Sequence, residues 1–169
     1  MADNQHLIFD RALLKVRRDR LTALDAETDF LQRHVADDIA ERLSFIRRSF
    51  AVALDLGAGT GVLGRRLASS GIGLETIISA DMSPRRLATA PAPKVVADEE
   101  LLPFRNSSLD LVVSGLALQL VNDLPGTLIQ IRRALKPDGL LLAALLGGRT
   151  LEELREAFVI AETETVGGA

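Results

Sequence analysis

The sequence predicts an α/β fold, with a parallel sheet between helical layers and a ligand at its strand ends. Three observations lead there. Short apolar runs at 51–54, 74–80, 94–97, 109–114 and 140–146 alternate with stretches of helical character, the chain order of strand–helix–strand units. The first run opens the stretch AVALDLGAGTGVLG (51–64), in which Asp55 is followed by glycines at 57, 59 and 61 before Val62, Leu63 and Leu67 resume at helical spacing. That order is strand, tight loop, helix. Finally, the second run ends at Asp81, twenty positions beyond Gly61, where nucleotide-binding units place a ribose-binding acid.

Composition bounds the rest. A chain of 169 residues holds one domain with a real core, and its 47% apolar and 25% charged content is an ordinary water-exposed balance. A net charge of −3 offers no field for nucleic acid. The absence of cysteine excludes disulfides, zinc-thiolate sites and thiol nucleophiles. Leu140 to Leu146 is too short to span a bilayer, and the N-terminal residues lack the apolar segment of a signal peptide. A soluble, cytoplasmic protein is expected.

Residues 1–48 are expected to form an N-terminal helical lid, with plain packing helices as the alternative. Leu7, Phe9, Leu13, Leu14 and Leu21 could line one helix, although Lys15 to Arg20 is mostly charged. Leu31, Val35, Ile39, Leu43 and Ile46 mark a second, cleaner helix, with Asp29 or Thr28 as its cap. Arg11, Arg17 and Arg18 read as a solvated charged face and receive no site role. His6 and His34 are the chain's two histidines, and neither spacing nor context makes them metal ligands.

Residues 49–169 are expected to form the cofactor-binding domain. Its glycine loop is organised so that Gly57 and Ala58 follow the strand end, Gly59 and Gly61 complete the turn, and a helix then points its free N–H groups into the gap. Gly59, Gly61 and Gly64 alone would satisfy the dinucleotide fingerprint. That frame, however, buries Asp55 and Gly57 inside an apolar strand. Counting from Gly57 puts Asp55 at the strand's carboxyl end and the third dinucleotide glycine on Val62, so the fingerprint fails. An acid there repels a pyrophosphate but suits the ammonium and sulfonium of S-adenosylmethionine. At this point the chain resembles the class I S-adenosylmethionine-dependent methyltransferases, a Rossmann-like three-layer sandwich.

The second strand, LETIISA, leads to Asp81, the expected ribose ligand, with Met82 beside it; Ser83 and Pro84 start the next helix. The Pro-Ala-Pro break at 91–93 precedes a third strand, Lys94 to Ala97. The run ADEELLPF that follows resembles the type 11 methyltransferase subfamily. That resemblance implies that Asp98 accepts a hydrogen bond from the adenine amino group and that the main-chain N–H of Glu99 faces a ring nitrogen. LDLVVS is the fourth strand, with Ser114 at its cofactor end, and the loop to Asn122 crosses the cleft. The subfamily often has His-Trp in this loop; Gln119 and Leu120 stand here instead, and a glutamine is no general base. Asp123 caps a helix to Leu135, the Lys136–Gly139 segment turns into the fifth strand, and Thr150 with Glu153 forms a capping box for the last helix.

IFDR (8–11), ALDLGAG, LVNDLP, LKPDG and TLEELREAFVIAETE narrow the resemblance to complex I assembly factor 5 and its bacterial relatives. The biotin-pathway methyltransferases that esterify a malonyl thioester are more distantly similar. The resemblance implies seven strands in the order 3-2-1-4-5-7-6. Five are readable, so strands six and seven are expected to be missing, leaving an exposed edge that a dimer could cover. The expected function is methyl transfer from S-adenosylmethionine, giving S-adenosylhomocysteine, to a small-molecule or protein acceptor. The alternative is a complex I assembly factor acting as a protein-arginine hydroxylase or chaperone. No catalytic residue is assigned.

Overall fold

The described residues, 7–21 and 29–166 of a computed structural model, form a five-stranded parallel sheet. Its centre is β1 (Phe50–Leu56), flanked by β2 (Leu74–Asp81) and β4 (Leu109–Gly115), with β3 (Lys94–Val96) and β5 (Leu135–Ala144) outside them. The order β3-β2-β1-β4-β5 reverses direction at β1. In an open parallel sheet, ligands bind at such a reversal, beyond the carboxyl ends of the strands.

Helices α1 (Arg11–Arg20), α2 (Phe30–Ser44), α3 (Val62–Ala68), α4 (Pro84–Leu87), α5 (Leu124–Ala134) and α6 (Glu152–Val166), with a short 3-10 helix at Leu118–Leu120, complete the described elements. α2 and α3 cover one face, where Ala36, Ile39, Ala40 and Leu43 pack with Leu63 and Leu67 on Ala53, Leu111 and Val113. α5 covers the other, where Ile131 and Ala134 meet Leu54, Leu56 and Val112. Successive strand residues point to opposite faces, so the apolar runs supply both layers at once. α2 belongs to this core. α1 does not: Leu13 and Val16 are each 44% exposed.

Several expectations shift. β5 starts at Leu135, so LKPDG is taken into the strand as a bulge between the pairs Leu109↔Leu135 and Leu111↔Leu140, with Asp138 at a φ of 63°. An edge strand tolerates such an interruption, and Pro137 with it. The expected capping box at Thr150 and Glu153 does not form. The Thr150 hydroxyl instead donates to the Gly147 carbonyl at 2.8 Å, and α6 begins at Glu152. Asp29 precedes α2 without a side-chain cap; Thr28, like His6, lies outside the described residues. Ser83 and Asp123 cap as expected, accepting from Arg86 N–H at 3.2 Å and Gly126 N–H at 2.8 Å. His34 is exposed on α2. No described helix is long and apolar enough to cross a membrane.

Candidate cofactor site

β1 and β2 end side by side in acids. Asp55 is 1% exposed and accepts a hydrogen bond from Gly64 N–H at 3.0 Å through Oδ2. Asp81, also 1% exposed, accepts from Gly59 N–H at 2.9 Å and Ser83 N–H at 2.7 Å. Asp55 is thus aimed by the first turn of α3, and Asp81 by the turns that follow β1 and β2. Burial pushes the Asp55 carboxyl up to about 7; the nearby Asp81 charge adds to this, while the Gly64 N–H and Arg65 oppose it.

The loop between them is strapped to β2, with the N–H groups of Gly57 and Ala58 both donating to the Ala80 carbonyl. Gly57 has a φ of 74°, and a Cβ there would stand 2.2 Å from the Ala117 methyl. Gly61, at a φ of 83°, lies under Pro91 and Ala90, where a Cβ would fall 2.5 Å and 2.8 Å from their atoms. Gly61 therefore answers to packing, whereas Gly57 lets the loop after β4 approach the cleft.

Asp55, Gly57, Ala58, Gly59 and Asp81 line one cavity of about 220 Å³, together with Leu14 and Arg18 of α1 and Gly115 to Ala117 after β4. Other expected residues lie apart from it. Met82 and Asp98 line an adjoining groove with Arg11 and Lys15. Ser114 is buried and its hydroxyl donates to the Leu56 carbonyl at 2.8 Å, tying β4 to β1. Glu99 is fully buried. Gln119 turns its amide back to the Leu116 carbonyl at 2.8 Å.

The arginines of α1 correct the reading of a solvated face. Arg18 is 7% exposed; its Nη1 lies 2.6 Å from Glu99 Oε1 and 3.6 Å from Asp81 Oδ1. Arg11 pairs with Asp98 and Glu99 and donates to the Leu120 carbonyl at 3.0 Å. Arg17 is exposed as expected. A signal existed: positions 11 and 18 are seven apart and share a helix face, and Glu99 sits in an acidic run that needs cations once buried. Arg86 is a second missed residue. It lines the cavity against Gly59, with its Nε–H buried and unpartnered.

A family model described as "Methyltransferase domain" matches residues 54–143, from inside β1 to the end of β5. The chain belongs to the methyltransferase domain family. The methyl donor of this family is S-adenosylmethionine. The human mitochondrial arginine-hydroxylase NDUFAF5 is 42% identical over 168 residues, covering 95% of this chain and 48% of its own. A malonyl-[acyl-carrier protein] O-methyltransferase of Gallionella capsiferriformans is 37% identical over 92% of this chain and 58% of its own. Among solved structures, a Haloferax volcanii methyltransferase in complex with the Trm112 methyltransferase activator superposes with a TM-score of 0.67 at 26% identity, covering 85% of this chain and 75% of that one. The chain spans about half the length of the curated relatives it matches.

Proposed function

We propose that the methyltransferase domain binds S-adenosylmethionine in the glycine-lined cavity and serves transfer of its methyl group to an acceptor. The observation that carries this reading is the pair of buried acids, Asp55 and Asp81, at adjacent strand ends over one glycine loop. The chemistry of these donors and acceptors fits the group. Asp81 offers a carboxylate to the two ribose hydroxyls, and Asp55 offers negative charge to an ammonium and a sulfonium. Gly57, Ala58 and Gly59 leave room against the main chain. Asp98 and the Glu99 N–H are assigned to the adenine edge, with Met82 beside it, while Gly61 and Ser114 support the loop and β4.

S-adenosylmethionine, when bound, supplies a methyl group already electrophilic at its sulfonium. The protein's part is to hold donor and acceptor in line and to exclude water. No base is needed for an acceptor that is already nucleophilic, such as a carboxylate, which suits a cleft where Gln119 stands in the loop after β4. The acceptor is a small molecule or a protein. The open outer edge of β5 supports pairing with a second copy, and bacterial and mitochondrial relatives support a cytoplasmic or matrix location.

A second reading follows from the 42% identity to a protein named as an arginine-hydroxylase: the same domain would then serve respiratory complex I assembly, by hydroxylation or as a chaperone. Calorimetric titration separates the first question from the second. Binding of S-adenosylmethionine and S-adenosylhomocysteine, but not NAD, supports the cofactor assignment; NAD binding or none at all overturns it. Mass analysis of candidate acceptors then distinguishes a gained methyl group from a gained oxygen.

A further inference from the structure

α1 lies across the cleft, yet apolar packing does not hold it there. Leu13 and Val16 are exposed, and its ties to the cofactor side are polar, Arg11 and Arg18 pairing with Glu99 and Asp19 accepting from the Ser83 hydroxyl, with Leu14 alone of its leucines in the cavity wall. Glu99 is the anchor. Its carboxylate is fully buried and receives both Arg11 and Arg18, from positions 88 and 81 residues away. A second tie joins the same strap to the loop after β4. There Phe9 N–H donates to Asn122 Oδ1 at 2.8 Å, and Asn122 Nδ2 donates back to the Phe9 carbonyl at 3.0 Å.

Arg18 does more than dock the helix. The Asp81 carboxylate already receives two backbone N–H groups, and the Arg18 guanidinium, 3.6 Å from Oδ1, stands on the cavity side of what remains. A ribose diol reaching Asp81 needs that space. The cavity agrees: at about 220 Å³, with Leu14, Arg18 and Leu21 in its wall, it falls below the ~300–1,000 Å³ usual for ligand pockets. Buried ion pairs gain little over their hydrated partners, so charge can hold α1 down without welding it.

We propose that α1 is a cofactor-responsive latch. Glu99 grips Arg11 and Arg18 to hold the helix over the cleft, and occupation of Asp81 by the ribose displaces Arg18 and loosens it. This rests on the cofactor reading above and goes beyond it by coupling binding to helix release. Minor states are populated at up to about 10%, and affinity for such a state is reduced by that fraction. Removing the competitor should therefore tighten binding by about tenfold or more.

The test is calorimetric titration of S-adenosylhomocysteine into the wild-type chain, Arg18→Gln and Arg18→Lys, with amide hydrogen exchange across residues 11–20. The latch predicts tighter binding by Arg18→Gln and near-wild-type affinity for Arg18→Lys, which keeps the charge. It also predicts faster α1 exchange in the wild-type chain on adding ligand, and exchange already fast in Arg18→Gln without it. Wild-type binding that Arg18→Gln weakens or leaves unchanged overturns the latch alone. Binding by neither form overturns the cofactor reading and the latch with it. Slow α1 exchange in Arg18→Gln overturns the latch even if affinity rises.

Discussion

Asp55 shows how one buried acid links stability to ligand affinity. Its carboxyl is raised to about 7 by burial and the Asp81 charge, against about 4 in an unfolded chain. The folded state thus holds the proton more tightly. Its contribution to stability is full below about pH 4 and is lost as pH rises through about 7. Cofactor binding has the opposite sign, because an ammonium and a sulfonium favour the ionised acid. Affinity for S-adenosylmethionine should rise with pH through about 7 and then level off, and Asp55→Asn should flatten the profile; titrations at several pH values check both. For Asp81→Ala, the lost hydrogen bonds to a charged acceptor should weaken S-adenosylhomocysteine binding by about 1.5–3 kcal/mol, measured by the same calorimetry. Gly61→Ala should act on stability instead. A non-glycine residue at positive φ costs about 1–3 kcal/mol, and the added methyl also meets Pro91 and Ala90, so the thermal midpoint should fall. Asp55, Asp81 and the glycines were legible in the sequence because each sits at a local break between strand and helix. Arg18 was legible only as a position on the face of Arg11, because its partner is a glutamate 81 positions away.

At the scale of elements, legibility follows the same division. The four buried positions of α2 (Ala36, Ile39, Ala40, Leu43) recur at three and four residues, so the helix announced its own packing face. Leu43→Ala should remove about 2–5 kcal/mol, which scanning calorimetry would read as a lower midpoint. β5 was harder, because LKPDG has the composition of a turn and becomes part of a strand only through its pairing with Leu109. Thr150 misled for a related reason: a threonine before Glu-Glu looks like a cap, but its hydroxyl found Gly147 first. Of the apolar residues expected to line α1, Leu13 is exposed while Leu14 is half-buried at the cavity, and its charged residues do most of the docking. Pattern arguments assume that burial means apolar, which fails where acids and arginines are buried together.

At the scale of the molecule, all four strand pairings among the described residues are parallel. Parallel pairing depends on contacts between distant residues, so refolding should take milliseconds to seconds rather than microseconds, as stopped-flow dilution from denaturant would show. The central position of β1 has a further consequence during synthesis. Ala53 pairs with Leu111, so β1 leaves the ribosome 58 residues (111 − 53) before its second neighbour exists. At about 5–20 residues per second that is roughly 3–12 seconds with one apolar strand edge open. Asp55 has no finished cleft around it in that interval, and the cofactor cannot template the nascent sheet. The period of greatest danger for this chain falls before the fold closes, and a chaperone that shields β1 at the exit tunnel should raise its yield.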